Sequence, residues 1–243
     1  MPTMTPAGSV PAPLHDDRHG PLPMPLLVLT MVTGLVDAVS YLKLGHVFVA
    51  NMTGNVVFLG FAVAGGPDFS LPASLAAIAA FMVGAVGGGS LGSRIGHHRG
   101  RYLAVATYIE IGFVGAALAV STIGADTGGS LLQYALIVLL ALAMGLQNAT
   151  ARRLAVPDLT TTVLTLTLTG LAADSPLAGG NAPHLGRRML AVATMFVGAL
   201  IGAVLVFQVS ASAVLALALA LLIANGVAAY RMSSSTDPWT VSG

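Results

Sequence analysis

Between residues 21 and 230 the chain is a succession of apolar segments, most of them about 20 residues long, the length a helix needs to cross a bilayer. Such a chain has few structural choices. In hydrocarbon every backbone N–H and C=O must be bonded within the protein, which leaves helices or closed barrels. Continuous apolar runs, rather than strict alternation, select helices. Composition agrees: of 243 residues, 56% are hydrophobic and 8% charged, where soluble domains carry roughly 25% charged residues. The expected fold is therefore an all-α polytopic membrane protein whose first partner is the lipid bilayer. A net charge of +1 without a basic stripe gives no reason to expect a nucleic-acid partner. The absence of cysteine excludes disulfides and thiolate metal sites.

Eight hydrophobic segments can be marked, at residues 22–44, 47–65, 71–92, 102–122, 131–150, 159–173, 189–209 and 213–230. Residues 1–20, polar and Pro-rich, and 231–243, Ser-rich at their start, read as tails. Between them lie two related halves, 21–123 and 124–230, of four segments each. Gly34-Leu35-Val36-Asp37-Ala38 matches Gly145-Leu146-Gln147-Asn148-Ala149. Thr53-Gly54-Asn55-Val56 falls opposite Thr165-Leu166-Thr167-Leu168. Phe81 to Gly88 falls opposite Met195 to Gly202, with four of eight pairs identical. The offset stays between 111 and 114 residues, and three blocks in one order outweigh the chance matching of small apolar residues.

Lys and Arg placement decides between eight spans and six. With eight crossings, Arg18, Arg187, Arg188 and Arg231 fall outside in the better orientation. If segments two and six instead enter and leave on one side, nine of the ten basic residues become cytoplasmic, Lys43 excepted, as do both termini. Each half then has three crossings, so the halves are inverted. The two short segments would dip in from opposite faces and meet near the midplane, as in inverted-repeat transporters. Six full spans with two short or broken segments is the preferred reading; eight spans is the alternative.

The stretches Gly34-Leu35-Val36-Asp37-Ala38-Val39-Ser40-Tyr41-Leu42, Val47 to Asn55 and Met144-Gly145-Leu146-Gln147-Asn148-Ala149 resemble the YoaK-like family of bacterial membrane proteins. The Asn51-Met52-Thr53-Gly54-Asn55 element is the most specific part of the likeness. In one place the chain departs from it, with Thr165-Leu166 where the family tends to carry Thr-Gly. The resemblance implies a multi-pass protein of the bacterial inner membrane and no particular biochemical activity.

Polar residues inside such segments are the candidate site. Asp37 lies ~22 Å along segment one and Glu110 ~12 Å along segment four, at 1.5 Å per residue. A buried carboxylate is costly in a bilayer, so each is either an ion or proton site or a structural group bonded to a neighbour. Asn51, Thr53, Gly54 and Asn55, with Gln147 and Asn148, would serve a path at the repeat interface or simply join helices. Thr162 and Thr165 would face them from segment six, whose remaining hydroxyls can bond preceding backbone carbonyls.

Enzyme chemistry finds little support: His97 and His98 are adjacent rather than one helical turn apart, and no phosphate-cradling Gly-Lys-Thr element exists. No metal or cofactor is expected. The functional expectation is a transporter or channel for a small solute or ion, proton-coupled if Asp37 and Glu110 titrate. The alternative is a non-transporting membrane partner or assembly factor whose polar residues serve packing. A homo-oligomer is compatible with either.

Overall fold

The computed structural model describes residues 18–123, 130–159, 161, 164–181 and 185–241. Among these are eight α-helices and no strand: α1 (Pro23–Lys43), α2 (Met52–Val63), α3 (Leu71–Ile95), α4 (Arg99–Ile123), α5 (Ser130–Leu154), α6 (Leu164–Ala173), α7 (Leu185–Gln208) and α8 (Ala211–Met232). Six are long and apolar enough to cross a membrane. α2 and α6, with 12 and 10 residues, are the exceptions. At 1.5 Å per residue they reach only about 18 and 15 Å, well short of a ~30 Å hydrocarbon core.

The termini of these elements follow local chemistry. Pro23 and Pro25 occupy the start of α1, where a missing N–H costs nothing. Ser70 and Ser210 cap α3 and α8 by accepting from the N–H groups of Ala73 and Ala213. Within the spans, Thr30, Thr33 and Thr150 donate to carbonyls four residues back, so their hydroxyls need no other partner.

The two halves interlock rather than sit side by side. α3 of the first half packs along α5 of the second, and α7 of the second packs along α1 of the first. α4 and α8 pack on one another, while α4 also meets α5 and α8 meets α1. Glycines permit the closest crossings. A side chain at Gly34 would strike the backbone of Met195 and Ala199, and one at Gly145 the backbone of Phe81 and Ala85. In return, Gly84 lies on Leu142 and Gly198 on Met31, each contact reproducing its counterpart at the offset seen in the sequence. Small residues that let backbones approach are the usual adhesive between membrane helices. Outward-facing Val83, Val86, Phe196 and Leu200 on α3 and α7 form the apolar exterior that meets lipid.

One tail differs from expectation. Residues 233–241 do not trail away but fold over one end of the bundle. Trp239 covers Gly20, His98 Nε2 bonds the Ser235 carbonyl at 3.0 Å, and Arg99 reaches the carbonyls of Trp239 and Leu154 and the ring of His19. The aromatic anchor and the buried guanidinium outweigh the polar composition that suggested a loose tail. Nearby, Arg188 at the start of α7 pairs with Asp158 (2.9 Å) and Asp174 (2.6 Å), tying the loop before α6 to the turn after it.

Candidate functional site

α2 begins where the chain cannot finish a span. After α1 the backbone turns through Gly45 and His46, both at positive φ, and reaches Asn51 as a loop that bends again at Val49 and Ala50. This loop would leave buried amides without partners, and two side chains supply them. Asp37 Oδ1 accepts from the N–H groups of Val49 (3.3 Å) and Ala50 (3.0 Å). Asn55, fully buried, accepts from the Phe48 N–H (2.8 Å) and donates to the Phe48 carbonyl (2.6 Å). The rings of Tyr41, Phe48 and Phe58 stack over the same loop. The start of α2 itself has no side-chain cap, so its first-turn N–H groups keep a partial positive charge.

Beside that start lies a partly open cavity of about 590 Å³. Asp37, Asn51, Thr53 and Gly54 line it from the first half, and Asn148, Leu164 and Thr165 from the second. Phe81 and Met195 close its apolar walls. Three pairs matched by the repeat thus share one cavity: Asp37 with Asn148, Thr53 with Thr165, and Phe81 with Met195. The symmetry is broken chemically, since the carboxylate of Asp37 has an amide for its counterpart. Oδ1 of Asp37 is engaged by the loop, and Oδ2 makes no hydrogen bond among the described residues, which leaves it available to the cavity.

Of the residues expected to form a path, six line this cavity: Asp37, Asn51, Thr53, Gly54, Asn148 and Thr165. Asn55 does not, because its amide is consumed by Phe48. Gln147 points into the α1–α5 contact instead, donating to Thr33 Oγ1 (2.8 Å) and more weakly to the Leu29 carbonyl (3.4 Å). Glu110 is buried in the α4 interface, away from the cavity lining. Thr162 lies outside the described residues. Thr169 bonds the carbonyl of Thr165, in keeping with self-satisfied hydroxyls in segment six.

The family model "Protein of unknown function (DUF1275)" matches residues 25–227, which takes in every helix named above except the first two residues of α1 and the end of α8. The chain belongs to this family. It is also similar to the UPF0700 transmembrane protein YoaK of Bacillus subtilis (strain 168), at 32% identity over 149 residues. That alignment covers 61% of this chain and 65% of the relative, just under two thirds of the latter's length. No solved structure matches. The YoaK-like resemblance read from the residues is thereby borne out, and the chain is a multi-pass membrane protein of that family.

The structure adds participants that residue type alone did not single out. The amides of Val49 and Ala50 are backbone groups with no sequence signature. Phe81 and Met195 sat in the sequence only as members of a repeat block, and their place on the cavity wall could have been anticipated from that pairing.

Proposed function

We propose that the family member described here conducts a small polar solute or ion across the membrane, through the cavity between the first turns of α2 and α6. The observation that carries this reading is the convergence of both repeats on one cavity, to which each contributes polar side chains. A volume of about 590 Å³ falls within the range of roughly 300–1,000 Å³ typical of small-molecule sites. Half-helices whose ends meet at a repeat interface are the usual means by which a bilayer-embedded protein offers backbone groups to a substrate. Asp37 gives the cavity a carboxylate beside the positive end of α2, so the site offers both acceptor and donor groups. If transport is secondary, Asp37 is the group placed to exchange a proton with the solute path. The concentration of basic residues at the end of the bundle holding Arg99, Arg188 and the C-terminus supports a cytoplasmic location for that end, in a bacterial inner membrane.

The competing reading, a non-transporting partner or assembly factor, draws on the structural bonds of Asp37, Asn55 and Gln147. Those bonds account for the loop and for the α1–α5 contact but give no reason for a partly open cavity beside them that takes polar groups from both halves.

An untargeted metabolite-uptake comparison tests the proposal, using inverted and right-side-out vesicles with and without the protein. A solute taken up by wild type but not by Thr165→Trp, which fills the cavity from the second half, supports it. A full panel with no protein-dependent uptake sinks the transport reading and leaves the assembly role.

A further inference from the structure

A second group of buried polar residues lies on the paired helices α4 and α8, apart from the cavity. Glu110, Thr107 and Asn225 are 1%, 1% and 3% exposed. Among the described residues, Glu110 Oε1, Thr107 Oγ1 and Asn225 Nδ2 have no hydrogen-bond partner. All three sit at one level of the antiparallel α4–α8 contact, in which Gly100 meets Met232, Ile111 meets Gly226 and Ser121 meets Ser212. Gly226 of α8 is approached by Thr107 Cγ2, the Tyr108 ring and Ile111 of α4, and its carbonyl accepts from the Tyr108 hydroxyl at 3.5 Å. Asn225 precedes Gly226, Glu110 precedes Ile111, and Thr107 is one turn from Glu110 on the same buried face. None of the three lines the α2–α6 cavity.

Buried polar side chains nearly always find partners, and three orphans at one level of a helix pair call for a common explanation. The carboxylate needs one most. No Lys, Arg or His occurs in α4 after Arg101, in α8 before Arg231, in α5 before Arg152 or in α1 before Lys43. The helices packed around Glu110 therefore supply no fixed counter-charge at its depth. We propose that the α4–α8 interface is a binding site for a monovalent metal cation, with Glu110, Thr107 and Asn225 as its side-chain ligands.

Charge and ligand type select this class. One carboxylate balances one positive charge, whereas a divalent ion would leave an excess charge in low dielectric. Carboxylate, hydroxyl and amide oxygens are hard donors and suit a hard ion. A half-turn of the Asn225 amide exchanges its nitrogen for its oxygen, so the side chain can serve as a ligand. A proton alone would neutralise Glu110 yet leave Thr107 and Asn225 without partners; a cation engages all three. Binding at this site does not depend on the cavity carrying a solute.

The probe is sodium. Full-length protein in detergent would be titrated with NaCl against choline chloride at constant ionic strength, reading equilibrium binding of radioactive Na⁺ and the unfolding temperature. The expected result is saturable binding of one Na⁺ per chain, with an unfolding temperature that climbs as Na⁺ is added. Glu110→Gln should weaken binding at least about tenfold, the scale of disturbing an ion's ligand set. Thr107→Val and Asn225→Leu should weaken it as well, which keeps the test decisive should Glu110→Gln fail to fold. Asp37→Asn should bind Na⁺ as wild type does, and this separates the site from the solute path. Absence of saturable binding in wild type overturns the proposal. So does a folded Glu110→Gln variant with an unchanged Na⁺ response, or loss of binding in Asp37→Asn alone.

Discussion

Replacing Asp37 by Asn and by Ala separates the two roles of one side chain. Oδ1 holds the N–H groups of Val49 and Ala50, while Oδ2 is left to the cavity. Alanine removes the acceptor altogether and strands two buried donors, at about 1–3 kcal/mol each, or about 2–6 kcal/mol together. Asparagine keeps an acceptor oxygen and loses only the charge assistance, about 1 kcal/mol per bond and about 2 kcal/mol in all. At ~2–4 °C per kcal/mol for a chain of this size, Asp37→Asn should unfold some 4–8 °C below wild type. Asp37→Ala should fall as far or further, by up to about 24 °C. Thermal unfolding in detergent, followed by circular dichroism, reads the order directly. Uptake in vesicles reads the other role: Asp37→Asn should assemble yet lose coupled transport. An Asp37→Ala variant that melts with wild type would refute the capping argument, and normal uptake by Asp37→Asn would refute the need for a charge at the cavity.

Three further outcomes are expected. Asn55→Ala deprives the Phe48 N–H and carbonyl of their partner and should cost about 2–6 kcal/mol in unfolding experiments, although Asn55 does not line the cavity. Gly145→Ala sets a methyl group against the Phe81 and Ala85 backbone and should cost about 1–3 kcal/mol, whereas Gly60→Ala, with open space around it, should be neutral or slightly stabilising in the same melts. Ending the chain after Met232 removes the cover over Gly20 and the Ser235 partner of His98; limited proteolysis should then cut at residues 18–20 faster than in the full chain.

Much of the architecture could be read beforehand, because a bilayer makes hydrophobic length nearly decisive. Segment bounds agreed to within a few residues for the long spans. α4 starts earlier, at Arg99 rather than Tyr102, since Arg99 is held inside by carbonyls that only the folded C-terminal segment and the end of α5 bring near. The cavity was legible in part. The repeat offset placed Thr53 opposite Thr165, and both line it. Residue type misled for Asn55 and Gln147, whose donors and acceptors could serve a solute or a neighbour equally well. Their geometry assigns them to Phe48 and to Thr33. Nor could spacing have placed Glu110: its depth along α4 was readable, but the side of the helix it occupies depends on where α8 crosses.

The exchange of partners between halves, α3 with α5 and α7 with α1, bears on how this protein is made. A ribosome delivers α1 and α3 with their glycine seams bare, and both seams stay bare until α5 and α7 have followed them into the bilayer. Translation stopped at residue 123 would release a fragment whose exposed grooves have no complement of their own. Closure of the α1 seam is thus deferred to the last third of synthesis, and a single unfinished chain can recruit the missing seam only from another molecule.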